Sequence, residues 1–546
     1  MKTTWQTKKQ LTDLLCSLVK YPSITGDDEE IALAEYLYYL ISNREYYHHN
    51  PSHVQLHPLK DGRQLLTSLV KQSDYEDTVI LLSHFDVVGI EDYGSLRNLA
   101  FHPNELTAEM NKMKNELPTL VQKDLENEDG DWLFGRGTMD MKAGISVHLS
   151  MLEKAMSGEF KGNILLLSVP DEEVNSLGMI TALPILEKLK KQHNLNYSAC
   201  LNGEPMFSKY PGDPSNYLYT GSIGKVLPGF FCYGKETHVG EPFAGLNANL
   251  MISFISQQLE LSEAFVEKVG DEVTPPPVSL MQRDLKEAYS VQTPTTAVAM
   301  YNVLYLKQSI ETINEKLFRA AKQASVSIKE HFNEKVNKYS EFANEFIKPD
   351  IDVQVFMYDE LYHLAVERFG QHEVERRQNL LISNRDKGDR DFSTLLVQDL
   401  ASLCKDLAPM IILFYSPPFY PSVSSHNDPT IKRVVNRVKN EATNQFSMEI
   451  KEVEFFPGLS DLSYLGPVSS SSNLSALLSN LPIQNKGFEL PEEVMKAITM
   501  PILNIGPRGK DPHQWTERLE LNYSFSQLPT LLATAIHGLL EKKRDK

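Results

Sequence analysis

Residues 162–173 read Gly-Asn-Ile-Leu-Leu-Leu-Ser-Val-Pro-Asp-Glu-Glu, an apolar run that passes straight into three acids. A run of this kind, without polar alternation, marks a strand buried on both faces, as in a parallel sheet covered by helices. Three acids in a row usually form a solvated turn. Here the strand before them puts that turn at the carboxyl edge of the sheet. The pattern recurs along the chain: Thr78-Val-Ile-Leu-Leu-Ser runs into His84-Phe-Asp86, Tyr197-Ser-Ala-Cys-Leu leads to Glu204, and Pro501-Ile-Leu-Asn-Ile leads through a polar loop to His513. Asp140 differs, since it opens an amphipathic helix expected over 141–156. Ligands of α/β sheets bind outside the carboxyl ends of the strands, so these remote positions are expected to converge on one crevice.

Outward from those strands, the first segment alternates helices (8–20, 28–43, 141–156, 181–192) with strands (78–83, 163–169, 197–201), and Thr25-Gly-Asp-Asp is the expected cap of the second helix. This is the α/β alternation of a largely parallel sheet. It breaks at Tyr219, where a Gly-punctuated strand pair begins. A helix near 247–259, the stretch Thr274-Pro-Pro-Pro, a strand over 296–306 and long helical patterns at 310–331 and 358–369 follow. The expected organisation is a discontinuous catalytic α/β domain, residues 1–218 and 406–546, interrupted by an inserted domain over 219–405. Val468-Ser-Ser-Ser-Ser-Asn reads as a short flexible loop.

The chain has 546 residues, enough for two domains or more, and its 41% hydrophobic content suffices for real cores. A net charge of −18 argues against a phosphate-neutralising surface, so no nucleic acid partner is expected. Four cysteines without paired spacing point to reduced thiols. No apolar stretch reaches membrane-spanning length, and the first ten residues lack a secretory pattern, so the expected location is the cytoplasm, with no membrane partner.

His84 and Asp86 share one face of a strand end, where Asp86 can take the N–H of the ring nitrogen that does not meet a metal. Alone, His-x-Asp arises often by chance. Gly135-Arg-Gly-Thr-Met-Asp-Met-Lys-Ala-Gly is more specific, because glycines and small residues surround one acid at a helix start. Asp140 there is either a plain cap or a carboxylate whose two oxygens reach two metals. In the triplet Asp171-Glu172-Glu173, neighbouring side chains diverge from an extended backbone, so one glutamate can ligate a metal while the other faces a water. Glu204 and His513 would each pass for surface decoration if they stood alone.

These segments, with the paired glutamates, the later acid and the distant C-terminal histidine, resemble the zinc metallopeptidase and deacylase family that contains aminoacylase, acetylornithine deacetylase and glutamate carboxypeptidase. The resemblance spans nearly the whole chain. The long insert and overall length are most similar to its bacterial arginine-utilisation branch, the RocB-like proteins. It implies a zinc-dependent exopeptidase-like domain with a mostly parallel central sheet and a smaller α/β lid inserted in it. It also implies two Zn²⁺, with Co²⁺ or Mn²⁺ as substitutes. Asp140 would bridge the ions, with His84 and Glu204 on one and Glu173 and His513 on the other. Glu172 becomes the general base and Asp86 the group that orients His84. Within the lid, Lys235-Glu-Thr-His-Val-Gly-Glu-Pro-Phe-Ala-Gly-Leu-Asn-Ala-Asn is similar to the segment whose histidine stabilises an oxyanion, which makes His238 that residue, assisted by Asn247. Arg508 and Arg283 are the candidates to receive a substrate carboxylate. Dimeric members exist, and a homodimer stays open for this chain.

Two zinc ions carry four positive charges against three carboxylate ligands, and the surplus favours ionisation of a water held there near neutral pH. The expected activity is hydrolysis of an amide or peptide bond in an N-acyl amino acid or short peptide, with a place in arginine catabolism. The rivals are a non-catalytic binding or regulatory protein that keeps the fold, and hydrolysis with a single metal. Glu172 discriminates the first, since a lapsed enzyme has little reason to keep a base beside a full ligand set.

Overall fold

The computed structural model describes residues 4–72, 75–127, 130–344, 351–468 and 474–541. The chain divides into two compact units: Met1–Ile223 with Val423–Val468 and Pro491–Lys546, and Gly224–Ser422 with Ser469–Leu490.

The first unit is built on an eight-stranded sheet in the order 54–58, 64–70, 163–169, 77–84, 196–202, 502–504, 216–219, 450–453. Its centre is parallel: strands Asn163–Val169, Asp77–His84, Asn196–Asn202 and Ile502–Asn504 run side by side, pairing Ile80 with Leu165 and with Cys200, and Cys200 with Ile502. The two-residue period sorts their side chains. Val79, Leu81, Ile164, Leu166, Ala199 and Leu201 share one core with residues of the helices Lys8–Val19, Ala143–Met156, Pro429–Phe446 and Leu528–Leu540. Ile80, Leu82, Leu165, Leu167 and Cys200 are buried on the opposite face. Both faces are therefore dry, which is why the runs show no polar alternation, and each such aliphatic side chain contributes about 1.5–3 kcal/mol by leaving water.

Next to this centre lies an antiparallel hairpin, Val54–Pro58 with Gln64–Val70, whose second strand pairs with Asn163–Val169. It went unread in the sequence because Gln55, His57, Thr67 and Ser68 interrupt the apolar signal.

The second unit holds a five-stranded sheet in the order 278–284, 296–305, 224–233, 410–420, 354–357. Its core packs Leu227, Phe231, Val298, Met300, Ile412 and Phe414 against the helices Tyr358–Phe369 and Asp389–Leu403. The strand Met410–Tyr420 pairs with Gly224–Tyr233 and Gln354–Met357, so residues 406–422 belong to this unit and not to the first, as the sequence boundary had it. The apolar run beginning at Met410 looks like any central strand; only its pairing partners assign it. The helix expected over 310–331 continues as Ile310–Ala343. Thr25-Gly-Asp-Asp supplies no side-chain cap to the helix Glu29–Ser42; instead Glu30 accepts the Gly26 N–H at 2.6 Å. The serine run after Val468 lies outside the described residues. No helix among the described residues is long and apolar enough to cross a membrane.

Candidate metal centre

The four parallel strands end together, and each delivers part of the cluster. His84 closes Asp77–His84, Glu172 and Glu173 follow Asn163–Val169, Glu204 follows Asn196–Asn202, and the loop after Ile502–Asn504 carries His513. His84 Nε2 lies 3.4 Å from Asp140 Oδ1, 3.4 Å from Glu204 Oε1 and 3.9 Å from Glu172 Oε2. His513 Nε2 lies 3.2 Å from Glu173 Oε1 and 3.4 Å from Asp140 Oδ2. The two oxygens of Asp140 thus face two different histidines. Ligand atoms of His84, Asp140 and Glu173 fall within 4.8 Å of one another, as do those of His84, Glu172 and Glu204.

Asp140 does not cap a helix. It sits in a turn before Ala143–Met156 with extended dihedrals, and no side-chain cap bond forms there. Its Oδ1 is buried without a hydrogen-bond partner. A buried carboxylate oxygen left unpaired is costly, and a cation between it and His84 would satisfy it. The last glycine of the motif has a steric reason: a Cβ on Gly144 would stand 2.3 Å from the Gly203 carbonyl, so only glycine lets this helix approach the loop that carries Glu204.

The acid triplet is a turn at the carboxyl edge of the sheet, as the strand before it implied, but its backbone is not extended. Asp171 has φ 69°, and its carbonyl accepts the N–H groups of Asn175 and Ser176. Each N–H of the triplet meets a buried carboxylate: Asp171 donates to Glu30 Oε1 at 3.2 Å, Glu172 to Asp86 Oδ1 at 3.1 Å, and Glu173 to Asp86 Oδ2 at 3.2 Å. Asp86 therefore holds the acid turn as well as facing His84. The His84 Nδ1 is nearer to the Asp86 main-chain oxygen, 3.1 Å, than to its carboxylate, 3.4 Å. Arg63 ties Glu30 to Asp171, 2.9 Å from each.

His513 and Asp511 both have positive φ, 61° and 56°. Non-glycine residues held there store about 1–3 kcal/mol, which surrounding contacts must offset. Buried Arg518 does so for this loop by pairing with Asp511 and, at 2.6 Å, with Asp124, while Lys510 reaches Asp124 at 2.6 Å.

Charge in the cluster is unbalanced. Burial, then the Glu204 and Asp461 charges, outweigh His84 and raise the Glu172 carboxyl well above the ordinary range, and Glu204 is raised for similar reasons. Burial works against a charged His513, yet Asp140 and Glu173 override it and push the imidazole up to about 11. His84 is likewise raised, its burial outweighed by Glu204 and Asp140. The carboxylates around them thus favour the protonated form of both imidazoles. As ligands they must be neutral, so cations that replaced those protons would supply the charge the carboxylates require. Carboxylate and imidazole donors in this number fit divalent ions of the zinc type.

The remaining expected residues have contacts of their own. Arg508 is on the loop that carries His513, and its guanidinium reaches the Pro214 carbonyl at 3.4 Å. Arg283 pairs with Asp391 at 2.5 Å in the second unit, where it lines a cleft of about 520 Å³ with Lys286, Leu381 and Lys387. His238, also in the second unit, is exposed; its Nδ1 accepts the Gly240 N–H at 3.1 Å, which places the proton of the neutral ring on Nε2. Asn247 caps the helix Ala248–Leu259 by accepting from Asn249.

Sequence reading missed Glu30, Glu517 and Asp461. Glu30 was findable, since it shares the buried stripe of its helix with Leu33, Ala34, Leu37 and Ile41, the spacing of an apolar face. Glu517 is fully buried, bound to Arg136 and to the main chain of Asp140. Asp461 is a buried acid whose carboxyl is raised to about 7, chiefly by burial.

Residues 80–468 match the family described as peptidase family M20/M25/M40. Over 542 residues the chain is 53% identical to the uncharacterized protein YqjN of Bacillus subtilis strain 168, covering 99% of this chain and 98% of that one. It is 30% identical over 542 residues to protein RocB of the same organism, covering 97% and 95%. A tripeptidase from Staphylococcus aureus superposes with a TM-score of 0.54 at 11% identity, covering 98% of this chain and 100% of that one, a likeness of fold.

Proposed function

The chain belongs to peptidase family M20/M25/M40 and is a metal-dependent hydrolase of amide bonds; from that premise we propose a dizinc enzyme acting on an N-acyl amino acid or a short peptide. The observation that carries this reading is Asp140, whose Oδ1 and Oδ2 each lie 3.4 Å from a different histidine while Oδ1 has no hydrogen-bond partner. In this reading Asp140 is shared, His84 and Glu204 complete one position, and Glu173 and His513 the other. Zinc, or Co²⁺ or Mn²⁺ in its place, would when bound polarise a substrate carbonyl and acidify a water. Glu172, on a turn pinned by Asp86, takes a proton from the attacking water and returns it to the leaving nitrogen. Asp86 keeps His84 in one tautomer by accepting from Nδ1, which frees Nε2 as donor atom toward a cation. His238 as oxyanion donor, Asn247 as its helper and Arg508 or Arg283 as receiver of a substrate carboxylate rest on the family resemblance. Arg508 is the better supported of the two arginines, since it shares the His513 loop and makes no ion pair among the described residues. The family resemblance to the arginine-utilisation branch is in keeping with an amino-acid-derived amide as substrate.

Metal quantification followed by a panel of N-acyl amino acids, arginine derivatives among them, and dipeptides tests the reading. Two ions per chain and turnover of at least one amide are expected. Fewer than two ions at saturation would favour a mononuclear site, and a fully loaded chain inert to the whole panel would sink the substrate class.

A further inference from the structure

Glu517 and Arg136 form an ion pair sealed from solvent, with Oε2 2.8 Å from Nη1 and side-chain exposures of 1% and 2%. A buried pair of this kind is poor value for stability, because apolar residues of similar volume often hold a fold equally well. Its other contacts point to a different task. Glu517 Oε1 faces away from the arginine and accepts the main-chain N–H groups of Met139 at 3.1 Å and Asp140 at 3.3 Å. The Glu517 carbonyl accepts the Gly135 N–H at 3.1 Å. Arg136 is itself held by Asp92 at 3.1 Å and by the Gly89 carbonyl at 3.2 Å. The residue therefore stitches the turn that carries Asp140 to the loop that carries His513.

We propose that Glu517 is a positioning residue that holds the Asp140 carboxylate between the two halves of the cluster, and thereby controls binding of a divalent cation at the Glu173–His513 half. The proposal rests on reading the cluster as a two-cation site. The Glu173–His513 half depends on Glu517 more than its neighbour does. His84 ends a strand locked into the sheet and Glu204 directly follows one, whereas His513 rides a loop with positive-φ residues whose spacing from Asp140 the Glu517 bridge sets.

The test titrates the metal-free full-length chain with Co²⁺, following its visible absorption and competition with a chelating dye, in the wild type and in E517A, E517Q and the double variant R136M/E517L. Thermal unfolding of each metal-free protein is measured in parallel. The wild type should show two binding steps. E517A should keep the first and weaken the second by about tenfold to a hundredfold, the usual effect of losing a group that orients a ligand. E517Q, which retains a carbonyl acceptor for the two N–H groups, should lie between them. R136M/E517L should regain the thermal stability lost in E517A without regaining the second step. If the double variant recovers affinity together with stability, or if E517A and E517Q bind both ions as the wild type does, the pair is only packing and the proposal fails. Should E517A not fold, E517Q and the double variant decide the matter alone. A wild type that takes one ion would instead overturn the two-cation reading itself, whatever the Glu517 variants do.

Discussion

Glu172 and Glu173 are adjacent in the chain, and their different neighbours divide their tasks. Glu173 lies 3.2 Å from His513, while Glu172 lies 3.9 Å from His84, the placement from which the proposed proton transfer starts. Replacing Glu172 with Gln should leave two metals bound and lower kcat by about 10²- to 10⁴-fold, the range of a lost general base. Near-normal turnover with intact metal content would remove Glu172 from the mechanism. His148 offers a prediction of another kind. It is buried beside Gly203 with neither ring nitrogen partnered, and burial pulls its pKa down to about 3 from 6.5. The native state therefore refuses a proton that the unfolded chain accepts below about pH 6.5. Stability must fall as pH drops through that range, by up to about 1.4 kcal/mol per unit. Urea unfolding at pH 7 and pH 5 should show the wild type losing about 2 kcal/mol more than His148→Met between those pH values. Equal losses would mean the ring is solvated or paired. Glu172 and Glu173 were legible from their place after a buried strand; Glu517 was not, because it acts on main-chain groups brought near by folding.

Among the elements, the helix Ala143–Met156 has a tight constraint. A Cβ at position 144 would lie 2.3 Å from the Gly203 carbonyl, next to Glu204. Gly144→Ala should cost about 1–3 kcal/mol as an overpacked contact. It should also weaken metal binding, because relief of the clash pushes the Glu204 loop outward. Calorimetric unfolding and Co²⁺ titration check this, and wild-type values in both would show that the helix can retreat freely. The central strands and this helix could be read from sequence, since continuous apolar runs need both faces covered. The hairpin of Val54–Pro58 and Gln64–Val70 could not, because its polar interruptions resemble those of a loop. The strand Met410–Tyr420 was recognisable as a strand, but not by the sheet it joins.

At the scale of the whole molecule, every proposed metal ligand belongs to the first unit, and each unit packs its own core. Ligand that binds only the folded form stabilises it by about 2.7 kcal/mol at a hundredfold excess over Kd. Adding Zn²⁺ to the metal-free chain should therefore raise the unfolding temperature of the first unit, and a chelator should reverse the shift. Two calorimetric transitions of which only one responds to metal are the expected result; a metal-independent profile would argue against a bound cation. The sequence by itself determined the α/β alternation, the buried central strands and the acids and imidazoles at their ends, because hydrophobic period and residue chemistry are local properties. Tertiary structure alone decided that Asp140 turns one oxygen to each histidine, that Asp86 and Glu30 hold the acid turn, and which sheet receives each late strand. Those outcomes depend on hydrogen bonds and approaches between segments remote from one another in the chain, and no local pattern encodes such distances.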